Sequence, residues 1–156
     1  MFLQWSDGSN TANRNEQEAA SVKEITVPAA PDSVETVTAF VNEQLDAIRC
    51  PLPVRTQVDI AVDEVFSNIV RYAYGPEKGT ATVRADVTDE PLSMTITFID
   101  RGKPYNPLTT AAPDTTLPAR QRRIGGLGVF ILKNTMDDIA YEYRDGMNIL
   151  TIRKMF

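Results

Sequence analysis

Residues 80–100 read TATVRADVTDEPLSMTITFID, and the alternation in this stretch decides the fold. Ala81, Val83, Ala85 and Val87 fall on one face of an extended chain, and Leu92, Met94, Ile96 and Phe98 do the same in the second half. Successive side chains of a strand point to opposite faces, so both runs predict strands with one buried face. Asp100 shares the parity of Phe98. If the strand continues without a bulge, its carboxylate points to the buried face and needs a hydrogen-bonding partner. If the strand ends first, and Gly102 allows that, Asp100 turns to water. The stretch by itself leaves both open.

Upstream, Val22, Ile25 and Val27 predict a short strand ending at Pro28. Asp32 is placed as the N-cap of a first helix, with Glu35 as its capping-box partner. Val37, Phe40, Val41, Leu45 and Ile48 carry that helix to about Arg49, and Pro51 and Pro53 break it. A second helix is expected from about Val54 to Tyr74, ended by Gly75-Pro76. At about 100° per residue, Gln57, Glu64, Asn68 and Arg71 fall in one stripe, opposite Val58, Val62, Val65, Ile69 and Ala73. Glu64 and Asn68 are four residues apart and project together. The solvated face of an ordinary amphipathic helix has the same description.

Downstream, residues 101–123 show no apolar periodicity and contain Pro104, Pro107, Pro113 and Pro118. A stretch of this kind inside a compact domain is typically a functional loop or lid. A glycine cluster, Gly125, Gly126 and Gly128, then opens a third helix to about Met136. Strands at Ile139–Arg144 and Met147–Lys154 flank Asp145-Gly146, a dipeptide suited to a two-residue hairpin turn. Neighbouring strands with helices grouped apart predict an α/β (α+β) two-layer sandwich. Its sheet is expected to be mixed, largely antiparallel and covered on one face by helices.

The 156 residues suit one domain with a real core, placed at residues 22–156 behind a flexible polar segment at residues 1–21. Trp5 in that segment has no assigned role. The net charge of −5 argues against a direct nucleic-acid partner. No apolar run approaches the ~20 residues that span a bilayer, and Met1–Leu3 is too short for a signal peptide. The lone Cys50 permits no intramolecular disulfide, which favours a reducing, cytoplasmic setting. With no histidine in the chain, imidazole bases, histidine metal ligands and phosphohistidine are excluded.

The glycine cluster matches neither a P-loop, since no G-x-x-x-x-G-K-[ST] occurs, nor a dinucleotide fingerprint, since Ile131 stands at the third glycine position. Free amides at a helix start favour phosphate. Close backbone packing explains the glycines equally well.

Three motifs in order resemble a known family. Glu64-x-x-x-Asn68 in DEVFSNIVRYAYG is similar to the N-box of the GHKL (Bergerat-fold) ATPase/kinase superfamily. Asp100-x-Gly102 in IDRGKPYNP resembles its first glycine box, and GGLGVFILKNTMD its second. Order and spacing resemble the branch of anti-sigma-factor serine/threonine kinases over about Val22 to Lys154. The resemblance implies Asn68 as the Mg²⁺ ligand and Glu64 as the general base. It implies Asp100 as acceptor for the adenine amino group, with Gly102 admitting the base. Gly125, Gly126, Leu127 and Gly128 would form the phosphate cradle and hinge of an ATP lid at residues 101–123. Thr151, on the last strand, would lie near adenine. Arg71 is a candidate phosphate contact or a solvated charge, as are Arg120, Arg122 and Arg123. Tyr72 stands where relatives of this branch often carry histidine. ATP and Mg²⁺ are the implied cofactors. A sigma factor and an anti-sigma-factor antagonist are the implied partners, with a homodimer as the implied assembly. The alternative is a nucleotide-dependent binding module without useful phosphoryl transfer.

Overall fold

A computed structural model describes residues 22–109 and 126–156. The elements run β1 (Lys23–Pro28), α1 (Ser33–Ala47), α2 (Leu52–Tyr72), β2 (Thr80–Asp89), β3 (Leu92–Asp100), α3 (Gly126–Thr135), β4 (Asp138–Arg144) and β5 (Met147–Met155). A single 3₁₀ turn, Pro107–Thr109, follows β3. The expected segment at residues 1–21, and residues 110–123 of the expected lid, lie outside the described residues. Gly125, Arg120, Arg122 and Arg123 lie there too.

The five strands form one sheet in the order β1-β2-β3-β5-β4. Every pairing in it is antiparallel. β5 therefore lies beside β3 although α3 and β4 come between them in the chain. Its register sets Phe98 opposite Leu150 and Asp100 opposite Asn148. The β4–β5 hairpin turns at Asp145 and Gly146 with φ of 53° and 75°, the left-handed pair that a two-residue turn requires.

All three helices pack on one face of the sheet. Val37, Val41 and Leu45 of α1, Val58, Val62, Val65 and Phe66 of α2, and Leu132 of α3 meet Val83, Met94, Ile96, Phe98 and Ile152. Each such side chain contributes about 1.5–3 kcal/mol on burial, so the alternation read from the sequence is the main source of the layer structure.

The helix ends differ from expectation in instructive ways. Asp32 makes no side-chain cap and is itself helical in backbone. The turn before it does the work instead, because Ser33 N–H donates to the Ala30 carbonyl and Val34 N–H to the Pro31 carbonyl. α1 closes on Arg49 in the left-handed region (φ 54°). Arg49 N–H donates to the Asp46 carbonyl and Cys50 N–H to that of Leu45, a paired closure that satisfies two last-turn carbonyls. α2 starts earlier than predicted, at Leu52, with Pro53 in its first turn, where a missing N–H costs nothing.

Candidate functional site

The site lies where the C-terminal half of α2, the end of β3, the start of β5 and α3 converge. Val65, Asn68, Ile69, Tyr72 and Ala73 of α2, Phe98 and Asp100 of β3, Leu132 of α3 and Asn148 and Leu150 of β5 line a pocket. Lys103, Tyr105 and Pro107 from the chain leaving β3, together with Tyr141 of β4, complete it. The walls are mostly apolar, with Asn68, Asp100 and Asn148 as buried polar groups.

The even register of β3 carries Asp100 onto the helix-covered face, 6% exposed, so the first of the two sequence alternatives holds. Gly102 N–H and Asn148 Nδ2 each donate to its Oδ1 at 2.9 Å. Among the described residues nothing donates to Oδ2. Burial pushes the Asp100 carboxyl up from the usual carboxylate range, and the Asn148 and Gly102 hydrogen bonds oppose that.

Glu64 and Asn68 meet as the i, i+4 spacing requires. Asn68 Nδ2 donates to Glu64 Oε1 at 3.3 Å. Asn68 is buried at 6% exposure. Its Nδ2 is committed to Glu64, so its carbonyl oxygen is the atom free to ligate, and among the described residues no donor reaches it. Burial raises the Glu64 pKa. The Asn68 hydrogen bond and the nearby Arg71 charge lower it, and Asp63 raises it further. Arg71 itself is exposed and does not line the pocket.

Gly128 sits inside the first turn of α3, and a Cβ there would overlap the Glu64 carboxyl group. Its smallness is what lets α3 start against the Glu64 side chain. Gly126 is the first residue of α3, and Leu127 is exposed at 45%. Gly128 lacks the positive φ that marks Gly75 and Gly146. For Gly128 the requirement is therefore space and not a left-handed backbone. At Gly102 the close neighbour is backbone. A Cβ on it would overlap the Ala73 carbonyl at the end of α2, where Lys103 N–H donates to that same carbonyl at 2.7 Å.

Thr151 requires a correction. It pairs with Thr97, one step out of phase with Leu150 and Ile152, so strand alternation turns it to the sheet face away from the helices. Its hydroxyl lies 3.5 Å from that of Thr97, and the pocket does not include it. The β5 residue that does reach Asp100 is Asn148, which the sequence reading missed. Parity along β5 was the available signal, since Asn148 shares the phase of Leu150 and Ile152. Tyr72 and Tyr105 were not anticipated as a pair. Their rings lie 5.1 Å apart, tilted by 37°, at the pocket mouth.

The model of the histidine kinase-like ATPase domain matches residues 27–154, most of the chain and every element of this pocket. The chain belongs to that family. Among individual proteins, the serine-protein kinase RsbW of Listeria monocytogenes serovar 1/2a is 31% identical over 96 residues, covering 58% of this chain and 60% of the relative. The serine/threonine-protein kinase BtrW of Bordetella bronchiseptica is 26% identical over 98 residues, covering 63% and 68%. RsbW of Bacillus velezensis is 26% identical over 133 residues, covering 81% of each chain. The chain thus spans 60% of the length of the Listeria relative. Among the described residues no helix is long and apolar enough to cross a membrane. No group of three or more Cys, Asp or Glu is set to hold a metal ion there either.

Proposed function

We propose that this histidine kinase-like domain is an ATP- and Mg²⁺-dependent serine/threonine protein kinase of the anti-sigma type. It would phosphorylate an anti-sigma-factor antagonist and hold a sigma factor inactive, acting as a homodimer. The observation that carries the reading is the Glu64–Asn68 pair, hydrogen-bonded to each other and packed against the first turn of α3, with Asp100 buried in the adjoining pocket. The names of the RsbW and BtrW relatives support the reaction class, and the resemblance of the three motifs supports the partners.

The residues suit the cofactor. Asn68 offers a hard oxygen, and among the described residues no carboxylate cluster surrounds it, which fits Mg²⁺ held chiefly by phosphates and water. Amides without an intrahelical partner at a helix start favour phosphate, the role this reading gives to Gly126, Leu127 and Gly128. Asp100 Oδ2 would accept a hydrogen bond from the adenine amino group. Bound ATP would supply the transferable phosphoryl group, with its Mg²⁺ neutralising developing charge.

The protein's own contribution is a base and a fixed geometry. Glu64 takes the proton of the attacking serine hydroxyl onto Oε2, the oxygen not engaged by Asn68. Its raised pKa makes it a better acceptor than an exposed glutamate. Asn68 fixes the other oxygen and so keeps the carboxylate from rotating away.

Incubation with labelled ATP, Mg²⁺ and the candidate antagonist tests the reading. Transfer to a serine of the antagonist is expected, falling about 10²-fold or more in Glu64→Gln with ATP binding retained. ATP binding without transfer by the wild type would replace the kinase with a nucleotide-dependent binding module. No ATP binding at all would remove both.

A further inference from the structure

Asn148 lies where β5 enters the sheet, directly across from Asp100, and is buried at 6% exposure. Both ends of its amide are engaged. Nδ2 donates to Asp100 Oδ1 and to the Lys103 carbonyl, each at 2.9 Å. Oδ1 accepts from Tyr105 N–H at 3.0 Å and from the Tyr141 hydroxyl at 2.6 Å. Turned end for end, the amide would set its NH₂ against two donors and its oxygen against a carboxylate and a carbonyl. Its orientation is therefore fixed by Asp100, Lys103, Tyr105 and Tyr141, with a longer contact to the Gly102 carbonyl.

That orientation constrains Asp100. Its Oδ1 is held by Asn148 from one strand and by Gly102 N–H from its own turn. Rotation of the carboxylate would break both bonds. Oδ2 is left as the acceptor facing the pocket, and a lone acceptor there favours a base edge that carries an amino donor.

We propose that Asn148 is a positioning residue for base selection: it clamps Asp100 so that Oδ2 reads an exocyclic purine amino group. Through the Lys103 carbonyl and Tyr105 N–H it also joins the base pocket to the chain leaving β3. The proposal rests on the reading of Asp100 as the base anchor and adds the residue that aims it.

Calorimetric titration of the full chain with Mg²⁺-ATP and with Mg²⁺-purine riboside triphosphate, which lacks the 6-amino group, separates aim from architecture. Wild type is expected to prefer ATP by about tenfold or more, the scale of one hydrogen bond to a charged acceptor. Asp100→Asn is expected to lose the preference, because its amide oxygen would take the two donors at the Oδ1 position and leave an NH₂ facing the amino group. Asn148→Ala removes the clamp. Asn148→Leu keeps the volume of the side chain but offers no donor to Asp100, so it decides the matter if the alanine variant does not fold. In both, the ATP preference should collapse to within about threefold while affinity for the analogue changes less. Equal weakening of both nucleotides, with the preference intact, would overturn the role of Asn148 and leave the base-anchor reading standing. No preference in wild type, or one that survives in Asp100→Asn, would remove the base-anchor reading and this inference with it.

Discussion

Glu64 holds a half-buried carboxylate, and keeping it charged there costs stability. Burial raises its pKa above the ordinary value, as it does for Asp100. A carboxyl whose folded pKa is raised binds its proton more tightly in the native state than in the unfolded one. Stability therefore falls as pH rises from the ordinary carboxylate range through the raised folded value, and the whole cost is present at neutral pH. Glu64→Gln keeps the shape and can still accept from Asn68, but it cannot ionise. We expect its Tm to exceed that of wild type at neutral pH, by a margin that shrinks as pH is lowered through the carboxylate range. Thermal melts across pH check this, and a margin independent of pH would contradict it. The residue proposed as the base is thus also one whose removal should stabilise the fold, a conflict expected at functional sites.

Two glycines fix how the elements meet, and they differ in what an added methyl group would strike. At Gly128 the obstacle is the Glu64 carboxyl, the far end of a side chain that can move. Gly128→Ala should fold with a Tm near that of wild type, because alanine is also the better helix former by about 1 kcal/mol. Its phosphoryl transfer should fall about tenfold or more, since the base is displaced. At Gly102 the obstacle is the Ala73 backbone carbonyl, which cannot step aside without disturbing the end of α2. Gly102→Ala should lose about 1–3 kcal/mol of stability, as overpacked positions do. Denaturant melts and transfer assays on the two variants should give opposite patterns. In the sequence the two glycines carry equal weight as motif positions, and only the neighbouring elements distinguish space for a side chain from space for a backbone.

For the whole molecule, ligand and fold are linked by mass action. Mg²⁺-ATP at about 100 times its Kd should add about 2.7 kcal/mol, a Tm rise of about 5–10 °C for a chain of this size. Asn68→Ala should lose the Mg²⁺-dependent part of that rise, and thermal shift with and without the metal reads it directly; an undiminished Mg²⁺-dependent rise would exclude Asn68 as the ligand. The sequence by itself determined the layers and the elements. Alternation in β2 and β3 and the 3.6-residue period in α1 and α2 each follow from local geometry, and burial enforces them residue by residue. It also placed Glu64 beside Asn68, because four residues make one helical step, and it gave Asp100 its inward parity. What only the tertiary structure decided is who stands across from whom. Local pattern carries no record of strand order, so nothing in it set β5 against β3 or brought Asn148 to Asp100 from 48 residues away. The same gap let Thr151 pass as a pocket residue, when a shift of one position along a strand turns a side chain to the opposite face. The pocket is therefore written in the sequence as separate motifs, and it becomes a site through a sheet order set by long-range pairing.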